Sequence, residues 1–258
     1  MTGNYGSDPP NTINIPILAP KIYWMADIRM RNFEAIPPVI KNLVIINALV
    51  FFAQNIFGNV GPYGMENLFA LHDVHSVYFR PHQLITHMFM HGSLTHIFFN
   101  MFALWMFGSM LENVWGSKRF LIFYMACGLG AAFLHLGVLY MEMSQVMEIF
   151  RQLPASQQEE LLYSPTFKVN TATVGASGAV FGCLAAFGYL FPNSLLYVYF
   201  LFPIKAKWFV LIYAAMELWL GVQNSAGDNV AHWAHLGGAL VGFLLVLYWN
   251  KKNRRHFY

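Results

Sequence analysis

Long apolar runs alternate with short polar stretches along most of this chain. Each run is close to the roughly 20 residues that a helix needs to cross the hydrocarbon core of a bilayer. The pattern therefore predicts six membrane-spanning helices. The predicted spans cover residues 39–57, 84–110, 120–140, 173–190, 208–222 and 230–249.

The stretches between the runs differ in character. Residues 58–80 are rich in glycine, aromatic residues and histidine, so we expect an element that lies in the membrane interface. Residues 141–170 contain four glutamates and are predicted to form a polar connector. The predicted domain organisation is an N-terminal cytoplasmic or interfacial lead-in (residues 1–36), a six-span domain (37–250) and a basic cytoplasmic tail (251–258).

The composition agrees with a protein that resides in a lipid bilayer. Of the 258 residues, 57% are hydrophobic and only 10% are charged, whereas a soluble domain carries about 25% charged residues. We therefore predict an all-α membrane protein with a six-transmembrane-helix bundle. The net charge of +3 is spread out, without a basic patch, so no nucleic-acid partner is expected. Cys127 and Cys183 lie in apolar runs and are expected to be buried small hydrophobes.

The placement of lysine and arginine predicts the orientation, because these residues are retained on the cytoplasmic side. With six spans, both termini lie on one side. That side receives Lys21, Arg29, Arg31, Lys41, Lys118, Arg119, Lys205, Lys207 and the basic tail. The opposite side receives Arg80, Arg151 and Lys168. We predict cytoplasmic termini and expect the membrane to be a bacterial inner membrane.

A serine and a histidine stand out within the apolar runs. Ser177 lies near the non-cytoplasmic start of the predicted fourth span, and His235 near that of the sixth, so they can share a depth. Polar groups in hydrocarbon are costly and therefore point to function. An imidazole can take the proton of a serine hydroxyl and later return it to a leaving amine. The pair favours hydrolysis inside the bilayer.

Small residues around this pair would let the helices approach closely. Gly175 and Gly178 flank Ser177, and GxxxG spacings begin at Gly178 and Gly238. Phe181 is one turn after Ser177, where it could cover the imidazole or simply be a core aromatic.

The predicted second span contains another polar cluster. His96 and Asn100 are four residues apart and share a helical face, from which both could donate to a developing oxyanion. His82, His87 and His91 lie near the membrane boundary and are expected to be structural. Metal or haem binding is a weaker interpretation, since no HExxH motif is present. Glu217 is a carboxylate within the fifth span and should face the bundle interior or a water-filled cavity.

Three segments together resemble the signatures of the rhomboid family of intramembrane serine proteases. They are residues 91–100 (HGSLTHIFFN), 175–178 (GASG) and 234–238 (AHLGG). The resemblance covers residues 39–250. It implies a Ser–His dyad without an aspartate, with Ser177 as nucleophile and His235 as general base. It also implies an oxyanion hole from the Ser177 amide with the His96 and Asn100 side chains, and places Phe181 at the position that stacks on the catalytic imidazole.

The resemblance implies a serine endopeptidase that cleaves transmembrane protein substrates near the non-cytoplasmic face, without cofactor or metal. Two alternatives remain. One is a non-catalytic rhomboid-like protein that binds transmembrane helices, which loss of the serine or histidine would favour; neither is lost. The other is a haem- or metal-binding electron carrier.

Overall fold

A computed structural model of the protein describes residues 33–58, 64–198, 201–223 and 230–254. In these ranges helices dominate, and two short antiparallel strands form a hairpin. The helices are α1 (Pro38–Phe57), α2 (Met65–Phe69), α3 (Gln83–Thr86), α4 (Leu94–Ala103), α5 (Ser109–Trp115), α6 (Ser117–Arg151), α7 (Ala155–Leu162), α8 (Ser177–Leu190), α9 (Ala206–Gln223) and α10 (His232–Arg254). The strands are β1 (Leu195–Val198) and β2 (Phe202–Lys205), and short 3₁₀ turns occupy His87–Phe89 and Lys168–Asn170.

Four helical segments in the described residues are long and apolar enough to cross a membrane. They are Pro38–Phe57, Leu94–Trp115, Ser117–Arg151 and His232–Lys251. The predicted fourth span corresponds to the shorter apolar helix α8, of 14 residues, and the fifth to α9, of 18 residues. The predicted all-α, multi-helix membrane fold is confirmed, whereas the count of six spans stays a prediction.

The second span begins later than the sequence predicts. The run predicted to start at residue 84 is interrupted, because Met90 and Ser93 both adopt extended backbone. Ser93 caps the next helix, its hydroxyl accepting the amide N–H of His96 at 3.1 Å. Serine is favoured at this position because it satisfies an amide that lacks an intrahelical partner. The span is therefore Leu94–Trp115, in which a π-helical turn (Leu104–Gly108) joins α4 to α5.

The predicted polar connector is largely helical. The helix α6 continues through it to Arg151, so its 35 residues extend about 52 Å, well beyond a bilayer core. After α7, the connector returns to the bundle at Asn170. The Asn170 amide donates to the carbonyls of Leu162 and Ser164, both at 3.0 Å, and its oxygen accepts the hydroxyl of Ser76 at 2.7 Å.

The interfacial segment predicted at residues 58–80 packs against this connector; residues 59–63 lie outside the described ranges. His72 is buried, and its Nδ1 is 3.0 Å from the Asn170 carbonyl oxygen. Burial lowers the pKa of His72 and outweighs this hydrogen bond, so the ring is neutral at pH 7. Leu71 pairs with Thr173 through two backbone hydrogen bonds of 2.9 and 2.8 Å. The segment thereby fixes the chain just before α8.

The core of the bundle lies where α6, α8 and α10 pack against one another. A Cβ at Gly238 would overlap the backbone of Gly178, and one at Gly242 would lie 2.7 Å from the Cα of Gly182. Close approach at these glycines, as predicted from their GxxxG spacing, is thus observed for α8 and α10. A Cβ at Gly178 would meet Ala131 of α6 first, so this glycine serves that contact as well. Cys127 and Cys183 are buried and free, as predicted.

Glu112 of α5 connects three helix ends at the end of the bundle where α1 and α6 begin. Its carboxylate accepts the amides of Val39 and Ile40 at 3.0 and 2.9 Å and the hydroxyl of Ser117 at 2.6 Å. The amides belong to the first turn of α1, where N–H groups lack intrahelical partners. Glu112 therefore joins the start of α1 to α5 and to the start of α6.

The two chain ends lie mostly outside the described residues. The predicted lead-in falls outside except for residues 33–36. The first four residues of the predicted basic tail continue α10, which ends at Arg254. Arg119, near the start of α6, lies 4.1 Å from the ring centroid of Trp249 in α10, so these two helix ends share a level.

Candidate active site

Ser177 is the first residue of α8, and the turn that delivers it is held by backbone hydrogen bonds. Gly175 has φ of +130°, a conformation that side-chain-bearing residues rarely adopt. Its N–H donates to the carbonyl of His87 at 2.9 Å, and two residues earlier Thr173 pairs with Leu71. The turn before Ser177 is therefore anchored to two other parts of the chain.

His235 lies in the first turn of α10 and reaches Ser177. Its Nε2 is 2.8 Å from the Ser177 Oγ, although the two residues are 58 positions apart. His235 is 9% exposed and Ser177 is half-buried, so the base is withdrawn from bulk water while the hydroxyl stays partly accessible. The close approach of α8 and α10 at Gly178 and Gly238 is what allows a serine side chain to span this gap.

The imidazole of His235 is also held by aromatic stacking. The Phe181 ring is parallel to it within 5°, with ring centroids 4.3 Å apart. Tyr213 of α9 stacks in turn on Phe181, at 5.1 Å. Two aromatic rings thus lie in series beside His235.

His96 lies on the other side of the Ser177 turn. A Cβ at Gly175 would be 2.9 Å from both Cε1 and Nε2 of the His96 ring, so only a glycine leaves room for that ring. The Gly92 amide donates to the Nδ1 of His96 at 3.4 Å, which favours the tautomer with its proton on Nε2. That proton is on the edge of the ring nearest Gly175, beside the nucleophile candidate.

Asn100 is buried one turn further along α4. One of its side-chain N–H groups donates to the His96 carbonyl at 3.0 Å. The amide has a second N–H, so this bond does not use its whole donor capacity.

The other histidines of this region contact the backbone or the ring of His96. The His82 Nε2 is 2.6 Å from the Leu68 carbonyl oxygen, and the His87 Nδ1 is 2.8 Å from that of Gln83. The buried His91 packs edge-on against His96, with ring centroids 5.0 Å apart. These positions fit the structural role expected of all three.

Glu217 and His232 are buried next to His235, and the sequence assigns neither of them a catalytic role. Glu217 of α9 is within the bundle interior, as expected, and its Oε2 is 2.9 Å from the His235 Nδ1. The same oxygen is 2.6 Å from the Nδ1 of His232. The sequence spacing could have indicated the role of His232, because His232 and His235 are three residues apart and share a helical face. The partner of that face, Glu217, could not be located without knowing how α9 packs on α10.

These three residues also lie close enough together to hold a metal ion, and among the described residues they form such a group of His, Cys, Asp or Glu side chains. One potential ligand atom from each of Glu217, His232 and His235 lies within 4.8 Å of the others. All three are buried. Two histidines and a glutamate form a common zinc ligand set, so the residues present fit a metal by type.

The fold and site define a multi-pass helical membrane protein with a partly buried, hydrogen-bonded serine–histidine pair. The Rhomboid domain family model matches residues 78–252, more than half of the chain. The protein belongs to the rhomboid family, which confirms the resemblance seen in the three motifs. The matched range contains the motifs and begins after α1.

Several named rhomboid proteins are similar in sequence to this chain. Rhomboid protein 1, mitochondrial, of Saccharomyces cerevisiae is 29% identical over 173 residues, 65% of this chain and 42% of the relative. RHOMBOID-like protein 12, mitochondrial, of Arabidopsis thaliana is 29% identical over 221 residues, 85% of this chain and 59% of the relative. Rhomboid protease GluP of Bacillus subtilis is 29% identical over 161 residues, 62% of this chain and 24% of the relative. The matches thus span between about a quarter and three fifths of these relatives.

Proposed function

We propose that this protein is an intramembrane serine protease that hydrolyses peptide bonds of transmembrane protein substrates. The observation that carries the proposal is the 2.8 Å contact between the Ser177 Oγ and the His235 Nε2, at the adjoining starts of α8 and α10. Retention of both residues within a family that includes named proteases supports catalysis over helix binding alone.

In the proposed reaction, Ser177 attacks a substrate carbonyl carbon while His235 accepts the hydroxyl proton on Nε2. The tetrahedral intermediate collapses as His235 gives that proton to the leaving amine, and the peptide C–N bond breaks. A water molecule then attacks the acyl-enzyme, again with His235 as base, and the product acid leaves with the Ser177 hydroxyl restored. No cofactor and no metal take part.

Negative charge on the substrate oxygen needs donors that are already in place. We assign this role to the Ser177 amide and to the side chains of His96 and Asn100. The Ser177 amide belongs to the first turn of a helix, where N–H groups lack intrahelical acceptors. The tautomer favoured for His96 presents an N–H close to Gly175.

The membrane setting restricts the substrate. A peptide bond within a transmembrane helix already has its carbonyl hydrogen-bonded, so the helix must unwind locally before Ser177 can attack. The substrate would enter laterally from the bilayer. On the other side of the site, Phe181 covers one face of the His235 ring and Tyr213 stacks behind it, which holds the base in place.

We place the protein in a bacterial inner membrane with both termini in the cytoplasm. The placement of lysine and arginine supports this orientation. The cation–π contact of Arg119 with Trp249 is at the end of the bundle assigned to the cytoplasm. The named relatives come from Bacillus subtilis as well as from mitochondria, and membrane fractionation of the native host tests the location.

Active-site labelling and cleavage together test the function. In detergent or proteoliposomes, the wild-type protein should cleave a model transmembrane substrate and react with a fluorophosphonate at Ser177. Ser177→Ala and His235→Ala should each abolish cleavage, and the double variant should be no worse, because the two groups act as a unit. Ser109→Ala is the matched control, since Ser109 is a buried serine of α5 outside the site.

Undiminished cleavage by Ser177→Ala would refute the nucleophile assignment. A wild-type protein that binds transmembrane helices without cleaving them, and that is not labelled, would identify a non-catalytic rhomboid-like binding protein.

A further inference from the structure

A buried carboxylate joins two histidines at the start of α10. The Oε2 atom of Glu217 lies 2.6 Å from the His232 Nδ1 and 2.9 Å from the His235 Nδ1. The three residues are 4%, 7% and 9% exposed, so the group is withdrawn from water. An ionised carboxylate at such a place is costly unless hydrogen-bonded donors compensate it.

We propose that Glu217 is a positioning residue that holds His235 in the orientation and tautomer needed to activate Ser177. This inference rests on the function proposed above. It replaces a two-residue dyad by a Ser177–His235–Glu217 array, with His232 sharing the carboxylate.

The hydrogen bonds on the two ring nitrogens of His235 determine the tautomer. A carboxylate oxygen is an acceptor only, so the His235 Nδ1 must carry the proton that joins it to Glu217. The Nε2 then has a free lone pair directed at the Ser177 Oγ, 2.8 Å away. This is the form that can accept a proton from the nucleophile.

The carboxylate has a second effect once the proton has moved. When His235 takes the Ser177 proton on Nε2, it becomes an imidazolium while keeping its Nδ1 proton. The negative charge of Glu217 beside Nδ1 compensates that positive charge within the buried site, and Glu217 itself remains ionised. The proton returns from Nε2 to the leaving amine, so the array ends each half-reaction unchanged.

His232 fixes the carboxylate rather than the nucleophile. It lies one turn before His235 on α10 and donates from Nδ1 to the same oxygen, so it limits rotation of the Glu217 side chain. With Phe181 stacked on the His235 ring, the base is held at both nitrogens and on one face.

A metal ion at the same three residues would have the opposite effect on activity. A cation bound to the His235 Nδ1 would require the lone pair there, which moves the ring proton to Nε2. The base would then present an N–H to Ser177 and could not accept its proton. Positioning by Glu217 and metal binding by this trio are therefore mutually exclusive in the active protein.

Charge removal at constant size tests the proposal in the full-length protein. With a model transmembrane substrate, Glu217→Gln should lower kcat at least about tenfold, toward the roughly 10⁴-fold that the equivalent change costs soluble serine proteases. The KM should stay within about twofold, because Glu217 does not contact substrate. Glu217→Asp, which keeps the charge on a shorter side chain, should recover part of kcat and of the fluorophosphonate labelling rate.

Glu112→Gln is the matched control. Glu112 is an equally buried carboxylate, but it caps the start of α1 and contacts no residue of the site. Its variant should melt at a lower temperature with kcat near wild type, whereas Glu217→Gln should lose kcat at temperatures where its melting curve shows the folded protein.

The proposal is wrong if Glu217→Gln turns over substrate at the wild-type rate. It is also wrong if Glu217→Asp and Glu217→Gln are equally impaired with matching losses of Tm, or if a chelator abolishes wild-type activity and Zn²⁺ restores it. Failure of the protease function itself would appear differently, as wild-type protein that neither cleaves substrate nor is labelled at Ser177.

Discussion

A single methyl group at Gly238 should push α10 away from α8. A Cβ there would lie 2.5 Å from the carbonyl carbon of Gly178 and 3.1 Å from its Cα. Carbon atoms in good contact are about 3.5–4.0 Å apart, and the Gly178 carbonyl oxygen is closer still, so Gly238→Ala needs the helices to separate by at least about 1 Å. The atoms in the way belong to the backbone and cannot rotate aside as a flexible side chain can.

The cost of this separation can be estimated for stability and for activity. Overpacking of a well-packed interface typically costs about 1–3 kcal/mol. A retreat of about 1 Å would lengthen the 2.8 Å contact between Ser177 and His235 beyond hydrogen-bond distance. Misplacement of reacting groups by that amount can lower rates about 10²-fold. We therefore expect Gly238→Ala to lose most of its turnover together with some stability.

Turnover of a transmembrane substrate, the fluorophosphonate labelling rate and a melting curve in the same detergent measure these effects. The matched control is Gly137→Ala in α6, where an added Cβ meets nothing within 4 Å. A glycine-to-alanine change at such a helical position stabilises by about 0.4–1 kcal/mol, so this variant should melt slightly higher with unchanged activity.

Wild-type labelling and turnover in Gly238→Ala would refute the reasoning. That result would mean that the distance between Ser177 and His235 is not set by the contact of Gly238 with Gly178. Equal losses in Gly137→Ala would be just as damaging, since they would trace the effect to altered helix flexibility.

Two further predictions concern the oxyanion donors and the orientation. Asn100→Ala and His96→Ala should each lower kcat by roughly 10²–10³-fold with KM changed less, because such donors act mainly on the transition state. Wild-type turnover in either variant would exclude that side chain as a donor, and parallel losses of Tm and activity would make it structural. Reporter fusions should place both termini in the cytoplasm and the connector at 141–170 outside; a cytoplasmic signal from that connector would overturn the topology.

The sequence was most informative where local chemistry determines structure. Ser177 and His235 could be paired because each interrupts an apolar run near a helix start on the same predicted side. The GxxxG spacings that begin at Gly178 and Gly238 predicted the close approach of α8 and α10. Small residues at this spacing allow two helix backbones to touch, as they do here.

The boundaries were less predictable. Hydropathy alone joined residues 84–93 to the second span, since the apolar residues from Leu84 to Met90 lead directly up to the break. The helix begins after Ser93, which caps it by accepting the amide N–H of His96. A single capping serine is a weak sequence signal beside a long apolar run. Helix α6 continued past its apolar part because charged residues are tolerated in a helix once it has left the bilayer.

The contacts of Glu217 lay beyond what the sequence could predict. Its cost in hydrocarbon indicated a place in the bundle interior or a water-filled cavity, but not the two partners that the structure gives it, His232 and His235. Which residues of α10 face α9 depends on the rotation of both helices, which is set by packing over the whole bundle. Long-range pairing of this kind leaves no local pattern in either helix.

The π-helical turn at Leu104–Gly108 determines which side chains of the second span face the bundle interior. In a regular α-helix the twelve steps from Asn100 to Glu112 would leave these residues about 120° apart around the axis, at about 100° a residue. A π-helical turn takes up roughly one extra residue, which brings them to within about 20–30°. Both are buried, Asn100 beside the site and Glu112 under the start of α1. The π-helical turn therefore lets one helix direct both Asn100 and Glu112 into the bundle interior, one toward each end of the span.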